Sequence, residues 1–225
     1  IDYADATFRV AGTDRTIGLF EIARHAETNV RLPDDLRGPL MAEAQIEFRK
    51  AVIGNGAQVV EVEVDPETGI VTFPQYVAVD DVGRAINPKL IDGQTHGGIA
   101  QGVGQAMYEA CAYDPETGQM RAATFMDYAM PRADGLPSFT TEITETPSPT
   151  NRLGIKAGSE GGTPPAPPAI VNAIIDALYD LGVRHIELPA TPQRVWQAIR
   201  DAKAERRIAR GETRDVVPTN ENRHH

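Results

Sequence analysis

The sequence predicts an α+β fold in which antiparallel hairpins are flanked by helices, and three observations predict it. Val60, Val62 and Val64 alternate with Glu61 and Glu63, a period of two that puts the valines on one face of a strand. Asp65-Pro66-Glu67-Thr68-Gly69 then supplies the residues of a tight turn and leads into Ile70–Phe73, which makes a hairpin. Further on, Ile170, Ile174, Ala177, Leu178 and Leu181 recur at helical spacing between Pro167-Pro168 and Gly182, the usual start and stop residues of a helix.

Taken in chain order, Leu19, Ile22, Ala23 and Ala26 mark a short first helix whose N-terminal signal is Asp14 or Thr16. Arg31–Leu40, with two prolines and mixed charge, reads as a connector. After the first hairpin, Val77 and Val79 predict a third strand closed by the polar turn Asp80-Asp81-Val82-Gly83. Ile99, Val103, Ala106, Met107 and Ala110 keep helical spacing, although Gly93, Gly97, Gly98, Gly102 and Gly104 crowd the same segment. Each glycine inside a helix costs about 1 kcal/mol relative to alanine, so their number calls for close approach to another backbone or to a bulky ligand. Asp114-Pro115-Glu116-Thr117-Gly118 repeats the earlier pentapeptide and predicts a second hairpin between Ala110–Tyr113 and Met120–Asp127. The recurrence fits either an internal duplication or independent use of good turn residues. Thr191-Pro192 offers a cap and first-turn proline for a last helix bearing Val195, Ala198, Ile199 and Ala202. Residues 1–202 are thus expected to form one domain and 203–225 a charged tail.

Composition excludes several functions. The 225 residues carry 32 Asp+Glu against 22 Lys+Arg, a net charge of −10, whereas nucleic acid and anionic membranes call for a basic face. The apolar run Ala169–Ala177 is broken by Asn172 and Asp176 and falls far short of the roughly 20 residues of a membrane span. With no signal-peptide pattern, a cytoplasmic location is expected. The single cysteine, Cys111, can build neither an internal disulfide nor a cysteine cluster for zinc or iron–sulfur. Because residue 1 is Ile rather than Met, processing, a cut or an upstream segment is expected to precede it, and the chain is expected to be part of a larger polypeptide.

Ordinary catalytic motifs are scarce. There is no Gly-x-Ser-x-Gly elbow, His-Glu-x-x-His or Walker loop, and Gly102-Val103-Gly104 lacks the third glycine of a dinucleotide loop. Two glycine-rich segments stand out instead, Asp92 through Gln105 and Gly154 through Pro165. In the second, Glu160 sits among glycines and prolines ahead of a helix. The helix dipole would favour its charged form there, whereas burial would raise its pKa and make it a better base. Taken alone, Glu160 reads as a solvated loop residue rather than a catalytic one, and Gln94 and Gln101 read as helix-surface amides.

Together with Asn87-Pro88 and Asp127-Tyr128-x-x-Pro131, the order and spacing of these segments resemble the C-terminal part of the molybdenum subunit of the xanthine dehydrogenase/aldehyde oxidase family. The resemblance runs from about Val59 through Ile199 and ends in Leu188-Pro189-Ala190-Thr191-Pro192-x-x-Val195-Trp196. It is greatest to the bacterial branch containing carbon monoxide dehydrogenase large subunits and related aldehyde or N-heterocycle hydroxylases. The resemblance implies a molybdenum hydroxylase component that oxidises an aldehyde, an N-heterocycle or CO with water as oxygen donor. Glu160 then matches the family's general base. Gln94 matches a glutamine that hydrogen-bonds the molybdopterin, or molybdopterin cytosine dinucleotide, cofactor. Lys156, Ala157, Gly158 and Ser159 match the loop whose backbone amides touch the pterin. Ser159 stands where the family pattern has glycine, so a left-handed backbone there would strain it. The family's iron–sulfur clusters and FAD are carried on partner subunits, and its molybdenum subunit is several hundred residues longer. The isolated chain is therefore expected to lack turnover and to expose apolar surface that drives association. The alternative reading is an assembly module of the same fold without turnover.

Overall fold

The computed structural model describes residues 1–45 and 52–211. They fall into two compact units, Ile1–Arg49 and Lys50–His225, a division that lies inside the stretch 1–202 expected to be one domain.

The first unit opens with a three-stranded antiparallel meander, β1 (Asp2–Ala4), β2 (Thr7–Arg9) and β3 (Thr16–Gly18). Asp5 and Ala6 both have positive φ, as a two-residue hairpin turn demands, and they bring Tyr3 opposite Phe8 with ring centroids 4.6 Å apart. Helix α1 (Leu19–Thr28) follows where the apolar spacing put it, but neither Asp14 nor Thr16 caps it. Thr16 is spent on β3, and Gly18 occupies the cap position without a side-chain hydrogen bond.

The second unit holds the remaining elements. Strands β4 (Asn55–Val64) and β5 (Val71–Asp81) form the predicted hairpin. Val77 and Val79, expected in a separate strand, continue β5. The break is only a bulge, in which Phe73 and Pro74 together oppose Val62 because proline has no N–H for the ladder. β6 (Phe139–Thr144) joins parallel to β5 and completes the order β4-β5-β6. Its Thr and Glu content hid it from the apolar pattern. The second predicted hairpin reduces to one bridge, between Tyr113 and Met120. The two pentapeptides nevertheless fold alike: Gly69 and Gly118 each donate to the carbonyl of the turn's aspartate at 2.8 Å, with φ of +74° and +69°. Their surroundings differ, since Gly69 packs against Pro192 and Trp196 while Gly118 faces open space. Shared turn chemistry is enough to account for the recurrence.

Helix α2 (Pro88–Met107) starts eleven residues before the first apolar position used to predict it, with the Asn87 side chain accepting from the Leu90 amide at 3.2 Å. α3 (Ala166–Ala177) takes Pro167 and Pro168 into its first turn, and α4 (Pro192–Ala209) is capped by Thr191 as expected. α4 runs seven residues past Ala202 into the stretch assigned to a charged tail. Those residues are good helix formers, and Arg206 holds the end in place by donating to the Asp180 carbonyl at 2.6 Å. The rest of the proposed tail, from residue 212, lies outside the described residues.

The core is built where α2, α3 and α4 meet the sheet. Tyr76 and Ala78 of β5, Ile99 and Val103 of α2, Ile170 and Ile174 of α3, and Val195 and Ile199 of α4 are all buried in one cluster. Two of the glycines in α2 serve this packing. A β-carbon on Gly98 would stand 2.9 Å from both the Gly162 Cα and the Thr163 nitrogen, and one on Gly102 would stand 2.4 Å from the Ala166 Cβ. Close backbone approach, one of the two reasons the sequence offered, therefore holds at these positions, whereas Gly93 and Gly97 have nothing within 4 Å.

Candidate functional site

The end of β5 carries two buried aspartates, and strand alternation sends them to opposite faces. Asp80 faces the helices and accepts from the Thr95 hydroxyl of α2 at 2.7 Å. Asp81 faces away and receives the Lys156 ammonium at 2.8 Å together with the amides of Gly83 and Thr146 at 2.9 and 3.0 Å. The Lys156 contact, with the two amides, holds the Asp81 carboxyl well below the usual carboxylate range. Since the folded pKa is depressed, the stability from this pair is complete above the unfolded value of about 4 and is lost as pH falls below it. The thermal midpoint of the parent chain is accordingly expected to drop on acidification below about pH 4. Lys156→Met should start from a lower midpoint at pH 7 and lose less on acidification. Parallel midpoint–pH curves for the two proteins would contradict this.

Lys156 begins the glycine-rich loop, and its own amide is also engaged, donating to the Val82 carbonyl at 2.8 Å. Beyond it the pattern changes. None of the backbone N–H groups from Ala157 to Gly162 has an acceptor among the described residues. The loop is held by its carbonyls instead. Gln94 of α2 donates to Ser159 O at 3.3 Å, Gln58 of β4 donates to Gly162 O at 3.0 Å, and Thr163 N donates to Glu160 O at 3.1 Å. Gln58 is fixed in turn by the buried Tyr76 hydroxyl at 2.5 Å, and burial pushes that phenol's pKa up, keeping it a donor. A β-carbon on Gly162 would lie 2.4 Å from the Thr95 carbonyl, so only glycine allows the loop to sit this close to α2.

The loop forms one wall of an open cleft of about 520 Å³, and Gly54, Gly56, Asp80 and Val82 contribute to the other side. Ala157, Gly158, Ser159 and Glu160 all line it, and the Glu160 side chain is exposed. Among the described residues the positive-φ positions other than glycine are Asp5 and Ala6, so Ser159 sits in ordinary backbone and takes the family glycine's place without strain. The structure thus brings Gln94, Ser159 and Glu160 to one place. It assigns Lys156 a different contact, with ammonium and amide both used inside the protein. Sequence reasoning missed Asp80, Asp81 and Gln58. The signal for the aspartates was present in the two acidic residues that end an alternating apolar strand, but it reads equally as a polar turn.

A wall of unpartnered N–H groups beside a carboxylate suits a ligand rich in acceptor atoms, with the glycines allowing close approach. The molybdopterin group implied by the sequence pattern fits this donor set.

A family profile described as molybdopterin cofactor-binding domain matches residues 1–137, which includes Gln94 and ends before the glycine loop. The chain is 39% identical over 171 residues to the nicotine 6-hydroxylase large subunit of Paenarthrobacter nicotinovorans, covering 73% of this chain and 21% of that protein. It is 36% identical over 140 residues to the carbon monoxide dehydrogenase large chain of Hydrogenophaga pseudoflava, covering 62% of this chain and 17% of the relative. A solved structure of reconstituted CO dehydrogenase from Oligotropha carboxidovorans superposes with a TM-score of 0.79 at 30% identity, over 91% of this chain and 25% of that one. The chain spans about a quarter or less of the length of each of these proteins. Among the described residues no helix is long and apolar enough to cross a membrane.

Proposed function

The chain belongs to the molybdopterin cofactor-binding domain family of molybdenum hydroxylases, and from that premise we propose that it forms one wall of the cofactor cleft in such an enzyme. The observation that carries this reading is the run of amides from Ala157 to Gly161 along the cleft, without acceptors among the described residues, next to the exposed carboxylate of Glu160. The amides of Ala157, Gly158 and Ser159 would hold the cofactor, in its molybdopterin or molybdopterin cytosine dinucleotide form. Gln94 would fix the loop from behind through the Ser159 carbonyl. When bound, that group supplies two-electron redox chemistry.

Glu160 does the proton chemistry. Oxidation of an aldehyde, an N-heterocycle or CO with water as oxygen donor releases protons, and a carboxylate in the cleft takes one up at its Oε atoms. Holding Glu160 on a loop pinned through Gln94, Gln58 and Thr163 keeps that acceptor in one position. Partner subunits carrying iron–sulfur clusters and FAD would take the electrons onward, in keeping with relatives that are named as subunits or chains of larger enzymes. Metal and pterin analysis of the natively purified complex tests the reading. Molybdenum and pterin in near-equal amounts with the chain are expected, and their absence from an intact complex would overturn it.

A further inference from the structure

Asp80 is not used by the function proposed above. It is 7% exposed, and one of its oxygens, Oδ2, takes the Thr95 hydroxyl. The other, Oδ1, has no donor among the described residues, and Asp80 lines the same cleft as the glycine loop. Its counterpart Asp81 differs on both counts, with a lysine and two amides satisfying it. A buried carboxylate oxygen without a donor is costly, and a donor from a ligand removes that cost. The glycines on either side leave Oδ1 open. A β-carbon on Gly56 would lie 2.5 Å from it, and one on Gly161 would lie 3.2 Å from it.

The cleft therefore brings together the loop from Ala157 to Gly161, whose amides have no acceptor among the described residues, and an acceptor at Asp80. A phosphate offers acceptors only and carries charge of the same sign as Asp80 and Glu160, so it suits a bare amide nest better than this wall. A heterocycle with a lactam–amidine edge offers a carbonyl or ring nitrogen next to an N–H and matches both kinds of group.

We propose that Asp80 Oδ1 accepts a hydrogen bond from a ring N–H or amino group of a lactam–amidine heterocycle seated in this cleft. The inference rests on the cofactor-cleft reading and adds the ring recognition and the residue responsible. Such an edge occurs in the pterin of the cofactor and in oxopurine-type substrates, and the two sources are separable.

The test uses the complete complex produced without cofactor, titrated calorimetrically with 6-hydroxymethylpterin and, in a second arm, with hypoxanthine. Asp80→Asn keeps size and the Thr95 contact but can present an N–H in place of the acceptor, and should weaken binding about tenfold or more. Should that variant fail to fold, Gly161→Ala covers Oδ1 with a methyl group and should weaken binding in the same sense. Loss confined to the pterin assigns the cleft to the cofactor ring, and loss confined to hypoxanthine assigns it to the substrate ring; either supports the role of Asp80. Unchanged affinity in the variants, displacement of the probes by pyrophosphate, or no binding of either probe to the unmodified complex overturns it. Full molybdenum and pterin content in the native complex alongside unchanged Asp80→Asn affinity would remove Asp80 from the site and leave the cofactor-cleft reading standing.

Discussion

Replacing Glu160 by Gln in the assembled enzyme is expected to slow reduction of the cofactor by substrate about 10²–10⁴-fold, the usual contribution of a positioned general base. The substitution keeps the side-chain volume and an acceptor oxygen while removing the proton acceptor. The exposed position of Glu160 makes the test clean, because a solvated loop glutamate without such a role should change stability by less than about 0.5 kcal/mol and the rate hardly at all. The fold of the loop does not depend on the carboxylate, since Thr163 N is held by the Glu160 backbone carbonyl. Rapid-mixing reduction, with molybdenum content shown to be unchanged, separates the two outcomes. A rate within a few-fold of the unmodified enzyme would mean that Glu160 is not the base.

The pattern of residues revealed most where one element alone decides the structure. The Val60–Val64 alternation, the twin Asp-Pro-Glu-Thr-Gly turns and the proline start of α3 all depend on local chemistry and are present where the sequence placed them, whereas α3 stops at Ala177 and Gly182 instead ends a short 3-10 turn over Tyr179–Leu181. What escaped depends on neighbours distant in the chain. β6 is stabilised by parallel pairing with β5, more than fifty residues earlier, and its Phe139-Thr-Thr-Glu-Ile-Thr144 pattern is too polar to stand out alone. The second hairpin failed for the opposite reason: its turn formed, but among the described residues its strand pairing is the single Tyr113–Met120 bridge, and a two-stranded pair of that length is marginal by itself. At the site, the glycine loop and Glu160 were legible as a motif. The partners of Lys156 and the burial of Asp80 were not, because a carboxylate at a strand end shows its role only once the chain has folded around it.

The glycines of α2 provide a test in which magnitudes decide the sign. Gly97 and Gly98 are neighbours in one helix, so alanine brings the same gain in helix propensity, about 1 kcal/mol, at either position. At Gly97 nothing lies within 4 Å of the added methyl, and the gain stands. At Gly98 the methyl would press 2.9 Å from the Gly162 Cα and the Thr163 nitrogen, which are backbone atoms and cannot swing aside. Overpacking of this kind costs about 1–3 kcal/mol and outweighs the gain. Gly97→Ala should therefore raise the thermal midpoint by about 2–4 °C and Gly98→Ala should lower it by a similar amount or more. The same displacement reaches the site. Relief of the clash moves the segment just after Glu160, and misplacement of a catalytic group by about 1 Å can cost about 10²-fold in rate. Gly98→Ala is accordingly expected to lose activity with Glu160 intact, while Gly97→Ala keeps it. Scanning calorimetry and turnover measured on both variants check this. Equal stabilisation by the two alanines would show that α2 and the loop are not packed through Gly98.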